Sequence, residues 1–459
     1  MSTQAINIKP EDISTEEKRS NLTISVFGCG KLGIFHAYLF AEMGFKVICI
    51  DFDQTIINKI LRGKLPFLKR EFELKLKNHL KNGRLNAAND VKSAVSKSNV
   101  IVVTVPLRIN EKKKVEYQNL EKVCKSIGSS LQKGSLIIIA NIVGIGATEH
   151  VIKEILENAS GFKAGVDFGL AYSPVQGLDG ETIEALTNCE RLVAATDKDS
   201  LDIASAILEN ITKKGVKKVL DLKLAEASVL FEAVKRDVDA AISAEFAYLC
   251  EKMGIDHLKT YGLIKADLPI TPLSTLISDS FQDEPYILIN DAENLNLKLR
   301  LLQLAKEVNG EILKHAVNLA KDALGSCGKT LRRAKIALLD VSASLSMKDS
   351  TKKALKELAK ILETKGAKVY LYRPYLIDEE IEEMTQILKK DSTEAFEGAD
   401  CIIIVNAEHD QFKRLNFKKL KVVMRMPAAI IDLVGVVEHD KAEKEGFIFR
   451  GFGRGVWTK

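Results

Sequence analysis

Short runs of β-branched and aliphatic residues alternate with longer amphipathic stretches: "LTISVFG", "IFHAYLFAEMG", "KVICIDFD", then "SNVIVVTVP" and "SLIIIAN". Continuous apolar runs fit strands buried on both faces, and helix-length segments between them fit βαβ units, so the pattern predicts a parallel sheet covered by helices. It returns towards the end in "KIALLDV", "STKKALKELAKILETKG", "AKVYLYRP", "ADCIIIVNAE", "LKVVMRM" and "AAIIDLVG". From about Leu222 to Leu324 strand signals fade. There Leu230, Val234, Val238, Ile242 and Leu249 keep helical spacing and are expected to form one apolar stripe on a long helix. Such a helix serves as a dimer contact or packs within its own chain.

The 459 residues suffice for two or three domains, and 46% hydrophobic content is ordinary for a globular protein. With 67 basic against 62 acidic residues the net charge is +5, and the lysines are scattered, which argues against a nucleic-acid footprint. Seven cysteines (Cys29, Cys49, Cys124, Cys189, Cys250, Cys327, Cys401) lie far apart with no metal-ligand spacing, so a reduced, metal-free protein is expected. The opening residues are polar and acidic, and no later apolar run has membrane-spanning length. The expectation is a cytoplasmic protein with residues 1–20 as a flexible tail.

"VFGCGKLG" sets Gly28, Gly30 and Gly33 in GxGxxG spacing between a strand and a helix. In that context the glycines provide a tight turn, close approach of a pyrophosphate and close helix packing, and the helix N-terminus favours the anion. Asp51 ends the next strand, where a carboxylate accepts from ribose hydroxyls and repels a 2′-phosphate, so NAD is favoured over NADP. Asp53 is the alternative ribose partner, or a helix N-cap. The expected cofactor residues are Gly28, Gly30, Lys31, Leu32 and Gly33, then Asp51, and Val105 and Pro106 of the "TVP" that closes a later strand. The fold class is α/β, with two Rossmann-like doubly wound parallel-sheet domains joined by a central helical region. The expected boundaries are 21–221, 222–325 and 326–459.

"GCGKLG", "DFD", "TVP", "RDVDAAISAEFAYLCEKMGID", "LRLLQLAKEVN" and "EGFIFRGFGRG", in this order, resemble the nucleotide-sugar 6-dehydrogenases (the UDP-glucose/GDP-mannose dehydrogenase family). The likeness is greatest to the UDP-N-acetylmannosamine branch and runs from about Asn21 to Gly455. It implies an NAD domain, a central dimerisation region and a C-terminal nucleotide-sugar domain. The family oxidises a sugar C6 alcohol twice with two NAD, through a thiohemiacetal and a thioester on a cysteine. That chemistry needs a thiolate, a lysine for oxyanion charge and a carboxylate for hydrolysis.

Several of those positions differ here. Ser280 in "ISDSFQDEPY" stands where the family's cysteine follows Gly-Gly-His, and no cysteine occurs between Cys250 and Cys327. Anchored on Arg236 and Glu245, the family's lysine and asparagine fall at Val229 and Ala233, while Lys235 lies about one and two-thirds turns from Val229. The family's hydrolytic glutamate corresponds to Val175 in "SPVQG", and its Ser-Thr-x-Pro segment to "NIVGIG", with Ile142 in place of a hydroxyl. Ser280 has no histidine placed as its base; His257, His315 and His409 are dispersed and read as structural. In the C-terminal domain the family's substrate lysine corresponds to Ser344, and its Asp-x-Arg to Asp349, Ser350 and Thr351. Arg191, beside Ala194 and Ala195 in place of family glycines, and Arg236 remain as substrate-binding candidates.

The sequence therefore suggests an NAD-binding relative without the covalent, four-electron chemistry, acting as a binding, regulatory or partner subunit. A UDP-sugar is a possible ligand, and the expected assembly is a homodimer or a heterodimer with an active relative through the central helix. The alternative is a two-electron nucleotide-sugar oxidoreductase without a covalent intermediate. A scaffold with a vestigial sheet would not need both the glycine loop and Asp51.

Overall fold

A computed structural model gives the structure of residues 5–65, 67–68, 70–175, 183–263, 276–277, 282–341, 349–373, 388–389, 395–407 and 416–455. The chain forms two compact units, Met1–Ala233 with Asp283–Lys298 and Val234–Gln282 with Leu299–Lys459.

In the first unit β1 (Thr23–Phe27), β2 (Lys46–Ile50), β3 (Leu85–Ala88) and β4 (Val100–Val103) are followed by a short antiparallel hairpin, β5 (Arg108–Ile109) and β6 (Val115–Glu116). Then come β7 (Leu136–Ile139), β8 (Gly169–Tyr172), β9 (Arg191–Ala195) and β10 (Val216–Val219). Among the described residues these strands, apart from the hairpin, form one sheet in the order β3-β2-β1-β4-β7-β8-β9-β10, parallel except between β8 and β9. The apolar runs enter it as expected, because a sheet covered on both faces needs apolar residues at every position. Val26, Val102 and Ile138 pack into one cluster. Phe27, Val103 and Ile139 pack into another.

The second unit repeats the architecture. β11 (Lys335–Val341), β12 (Lys368–Tyr372), β13 (Leu388–Lys389), β14 (Cys401–Ala407), β15 (Ala429–Asp432) and β16 (Ile448–Gly451) form a parallel sheet in the order β13-β12-β11-β14-β15-β16. In each sheet the order reverses beside its first strand, which opens a crevice at the carboxyl ends of the strands. "LKVVMRM" contributes no strand: its first residues close the helix Phe417–Val423.

Two expectations are corrected. Residues 5–20 are not a flexible tail: Ala5, Ile6, Ile8 and Ile13 are buried, and Asn7 N–H donates to Gly134 O at 2.9 Å. Four spaced apolar side chains suffice to seat a polar segment on the domain, a signal that its overall composition hides. Nor do Leu230, Val234, Val238, Ile242 and Leu249 share a stripe: on the helix Leu222–Met253 Leu230 is buried, whereas Ile242 and Leu249 are 40% and 56% exposed. Steps of four residues drift by about 40° each, so such a series winds around the helix. The buried side is instead rich in alanine (Ala225, Ala233, Ala240, Ala244, Ala247), and Phe231, Phe246 and Met253 face outward.

Candidate cofactor crevice and the substituted positions

The chain leaves β1 at Gly28 with φ +89°, a left-handed conformation that favours glycine. Its N–H donates to Ile50 O at 3.0 Å, and an added Cβ would lie 2.9 Å from Val105 Cγ2. Gly33, in the first turn of the helix Lys31–Glu42, allows the close approach that the motif needs, since a Cβ there would stand 1.9 Å from Gly28 O. Thr104 ties the two strand ends, its hydroxyl lying 2.9 Å from Phe27 O and 2.7 Å from Gly28 O. Gly30 differs: a Cβ there would meet nothing within 4 Å, so the loop's open side is at that residue. Lys31 and Leu32 open the helix, Val105 is half-buried against the loop and Pro106 is exposed.

Asp51 follows β2. One carboxylate oxygen accepts from Cys29 N–H at 2.9 Å and the other from Asp53 N–H at 3.0 Å. A carboxylate has about four lone-pair positions, so two bonds leave room for ribose hydroxyls. Asp53 caps the helix Gln54–Leu61, accepting from Thr55 N–H at 2.8 Å, and those bonds to Thr55 hold its carboxyl below the usual range. These residues fit a dinucleotide: an open glycine loop at a helix N-terminus with a partly satisfied carboxylate one strand away.

The loop after β7 borders the same crevice and is held from three directions. Gly144 N–H donates to Tyr117 Oη at 3.0 Å and Ile145 N–H to Asp291 at 2.8 Å. Gly146 and Thr148 N–H both donate to the buried Glu226, which lies on the long helix. Burial raises the carboxyls of Glu226 and Asp291 above their ordinary values and pushes Tyr117 up to about 12. A side chain at 144 would strike Tyr117 Oη at 2.6 Å, which accounts for the glycine. The helix Glu284–Asn294 that carries Asp291 also docks on the β5–β6 hairpin, with Asn290 Nδ2 donating to Lys113 O at 2.9 Å and Lys114 paired with Glu293. Glu226 and Asp291 were not singled out from sequence; the signal was a carboxylate inside a helix's apolar run.

Val229 and Ala233 are 2% and 1% exposed. Val229 belongs to the apolar cluster of Ile139, Val143 and Tyr172, against which Ile142 also packs. Val175 is buried in the cluster on the other face. Lys235 is exposed and paired with Asp239 one helical turn on. Ser280, Ser344 and His409 lie outside the described residues. His315 pairs with Glu251 at 2.8 Å, and His257 is buried at the start of the helix His257–Tyr261. Arg191 is 1% exposed, with Nη2 3.0 Å from Ser173 O and 3.3 Å from His36 Nε2, so it sits in the domain interior rather than on a surface. Arg236 is half-buried; its neighbour Asp237 is buried and ion-paired with Lys306 at 2.9 Å.

Sheet order, glycine turn and strand-end carboxylate together define a dinucleotide-binding α/β protein. The chain belongs to the UDP-glucose/GDP-mannose dehydrogenase family: residues 22–212 match its NAD binding domain and residues 348–439 its UDP binding domain. It is similar to a UDP-N-acetyl-D-mannosamine dehydrogenase of Pyrococcus horikoshii, 27% identical over 95% of this chain and 100% of that one. A UDP-N-acetyl-D-glucosamine 6-dehydrogenase of Pseudomonas aeruginosa is 23% identical over 92% and 99% of the two chains. The solved UDP-D-ManNAc dehydrogenase of P. horikoshii superposes with a TM-score of 0.81 at 26% identity, covering 95% of this chain and 100% of its own. A UDP-glucose dehydrogenase of Pyrobaculum islandicum shares the fold with a TM-score of 0.78 at 20% identity, covering 94% and 98%. Among the described residues no helix is long and apolar enough to cross a membrane.

Proposed function

We propose that this chain binds NAD at the Gly28–Asp51 crevice but does not carry out the family's four-electron oxidation, and that it works as a cytoplasmic binding, regulatory or partner subunit. The observation that carries this reading is the packing of Val229 inside an apolar cluster, with Ala233 one turn on also buried. A lysine at 229 would be a desolvated cation with hydrocarbon around it, so the position now serves stability rather than charge handling. Val175 packs in the same manner. The proposed functional division is an NAD domain (21–221), a central region (222–325) and a C-terminal sugar-nucleotide domain (326–459). The outward residues Phe231, Phe246, Leu249 and Met253, 46–64% exposed, support a dimer through the long helix, with itself or with an active relative.

The test is nicotinamide reduction at stoichiometric protein concentration with NAD and, in turn, UDP-N-acetylmannosamine, UDP-N-acetylglucosamine and UDP-glucose. No NADH from a chain shown to bind NAD supports the proposal. Two NADH per sugar would overturn it, and one would establish the alternative, a two-electron oxidoreductase. Sedimentation of the wild type and of Phe246→Glu tests the helix contact; a wild type that stays monomeric at all concentrations refutes homodimerisation.

A further inference from the structure

Asn141 lies just beyond β7, whose last ladder pair is Ile139 with Val103 of β4. Ala140 N–H still donates to Val103 O at 2.8 Å, so Asn141 is held level with Val105 at the carboxyl end of the sheet. Its side chain is buried, 5% exposed, and neither Nδ2 nor Oδ1 has a hydrogen-bond partner among the described residues. Buried amides are rarely left with both ends unsatisfied, and the adjoining loop is not loosely made. Gly144, Ile145, Gly146 and Thr148 N–H each have an acceptor there. The Thr148 and Tyr172 hydroxyls nearby are also buried without a partner among the described residues, but Asn141 is the residue at this edge of the crevice that leaves both a donor and an acceptor unspent.

A dinucleotide crosses the reversal point of such a sheet with its pyrophosphate at the glycine turn. The adenosine half falls to the β1–β2 side, where Asp51 stands, and the other half to the β4–β7 side, where Asn141 stands. Asn141 offers two donor hydrogens and an acceptor in one plane, the complement of another primary amide. We propose that Asn141 binds the nicotinamide carboxamide, Nδ2 donating to its oxygen and Oδ1 accepting from its NH₂. Asn141 is thus a specificity-determining residue for the cofactor's reactive half. The inference rests on NAD binding at the Gly28–Asp51 crevice.

The test compares calorimetric affinities of wild type, Asn141→Leu and Asn141→Ala for NAD, for ADP-ribose, which lacks the nicotinamide, and for the nicotinic-acid dinucleotide, which lacks the amide donor. Both variants should lose about tenfold in NAD affinity and change by less than about twofold for ADP-ribose. The wild type should prefer NAD to the nicotinic-acid form by a similar factor, and the variants should lose that preference. Asn141→Leu should also raise the melting temperature without ligand, because it replaces two unsatisfied polar groups by apolar ones of similar volume. That opposite movement of stability and affinity separates ligand binding from a purely structural role. Equal losses for NAD and ADP-ribose, or no loss for either, would overturn the assignment while leaving the NAD site standing. A wild type that binds neither would remove both.

Discussion

Over six parallel strands the two sheets share one order, and they part company at the strand ends. In the first, Gly28 turns away from β1 with open space at Gly30, and Asp51 at the end of β2 keeps part of its carboxylate unspent. In the second, the described residues at the ends of the first two strands include Asp340, within β11, and Arg373, directly after β12. The two form an ion pair that is 0% and 3% exposed. The same topology thus occurs twice, with different side chains at the described strand ends. A small turn with a solvated carboxylate suits a dinucleotide; a buried ion pair is a filled and charge-balanced position, held at a desolvation cost.

The most severe way to break this contrast is to unpair the second crevice. Asp340→Ala leaves a buried guanidinium and should cost about 3–5 kcal/mol in denaturant unfolding, whereas the paired change Asp340→Leu with Arg373→Met should recover most of it. Equal losses in the single and double variants would show that the pair is not the stabilised unit.

Next comes Gly33→Ala. Its Cβ would stand 1.9 Å from a backbone oxygen, so the turn must open. A loss of about 1–3 kcal/mol is expected together with loss of NAD binding by calorimetry, and retained affinity would show that the cofactor does not need this turn.

Asp51→Ala sharpens the contrast from the other side. NAD should bind about tenfold more weakly and the preference over NADP should shrink; an unchanged ratio of the two affinities would assign the ribose contact elsewhere.

The smallest effect concerns pH. Burial raises Glu226 above its ordinary value of 4.5, so the folded state holds this proton more tightly than the unfolded one. Its contribution is therefore fully present below about pH 4.5 and is lost as pH rises through the raised value. Glu226→Gln lacks this dependence, so the stability gap between wild type and variant should narrow from pH 4 towards neutrality. A gap that widens over that range would contradict the assignment.

Much of the fold was legible because its signals are local. Buried parallel strands must be apolar at every position, and "KIALLDV" enters β11 residue for residue as Lys335–Val341. The glycine motif was equally legible, since each glycine answers a steric demand within a few residues. The orientation of the long helix was not, because the larger side chains Phe231, Phe246 and Met253 face outward and alanines face in. Hydrophobicity alone ranks those residues the other way round. The N-terminal segment was misread for a related reason: its composition is polar, but Ile6, Ile8 and Ile13 find a partner surface that no local pattern records.

By itself the sequence determined the α/β class, the glycine turn between β1 and its helix, the placement of Asp51 and the absence of a cysteine between Cys250 and Cys327. All of these follow from neighbouring residues, where sterics and period act over one or two turns. Tertiary structure alone decided that Asn141 keeps a buried amide without a partner among the described residues, that Glu226 and Asp291 clasp one loop from two helices, and that Asp340 meets Arg373. Burial and hydrogen-bond satisfaction depend on which distant segments close around a group, and spacing along the chain does not encode that.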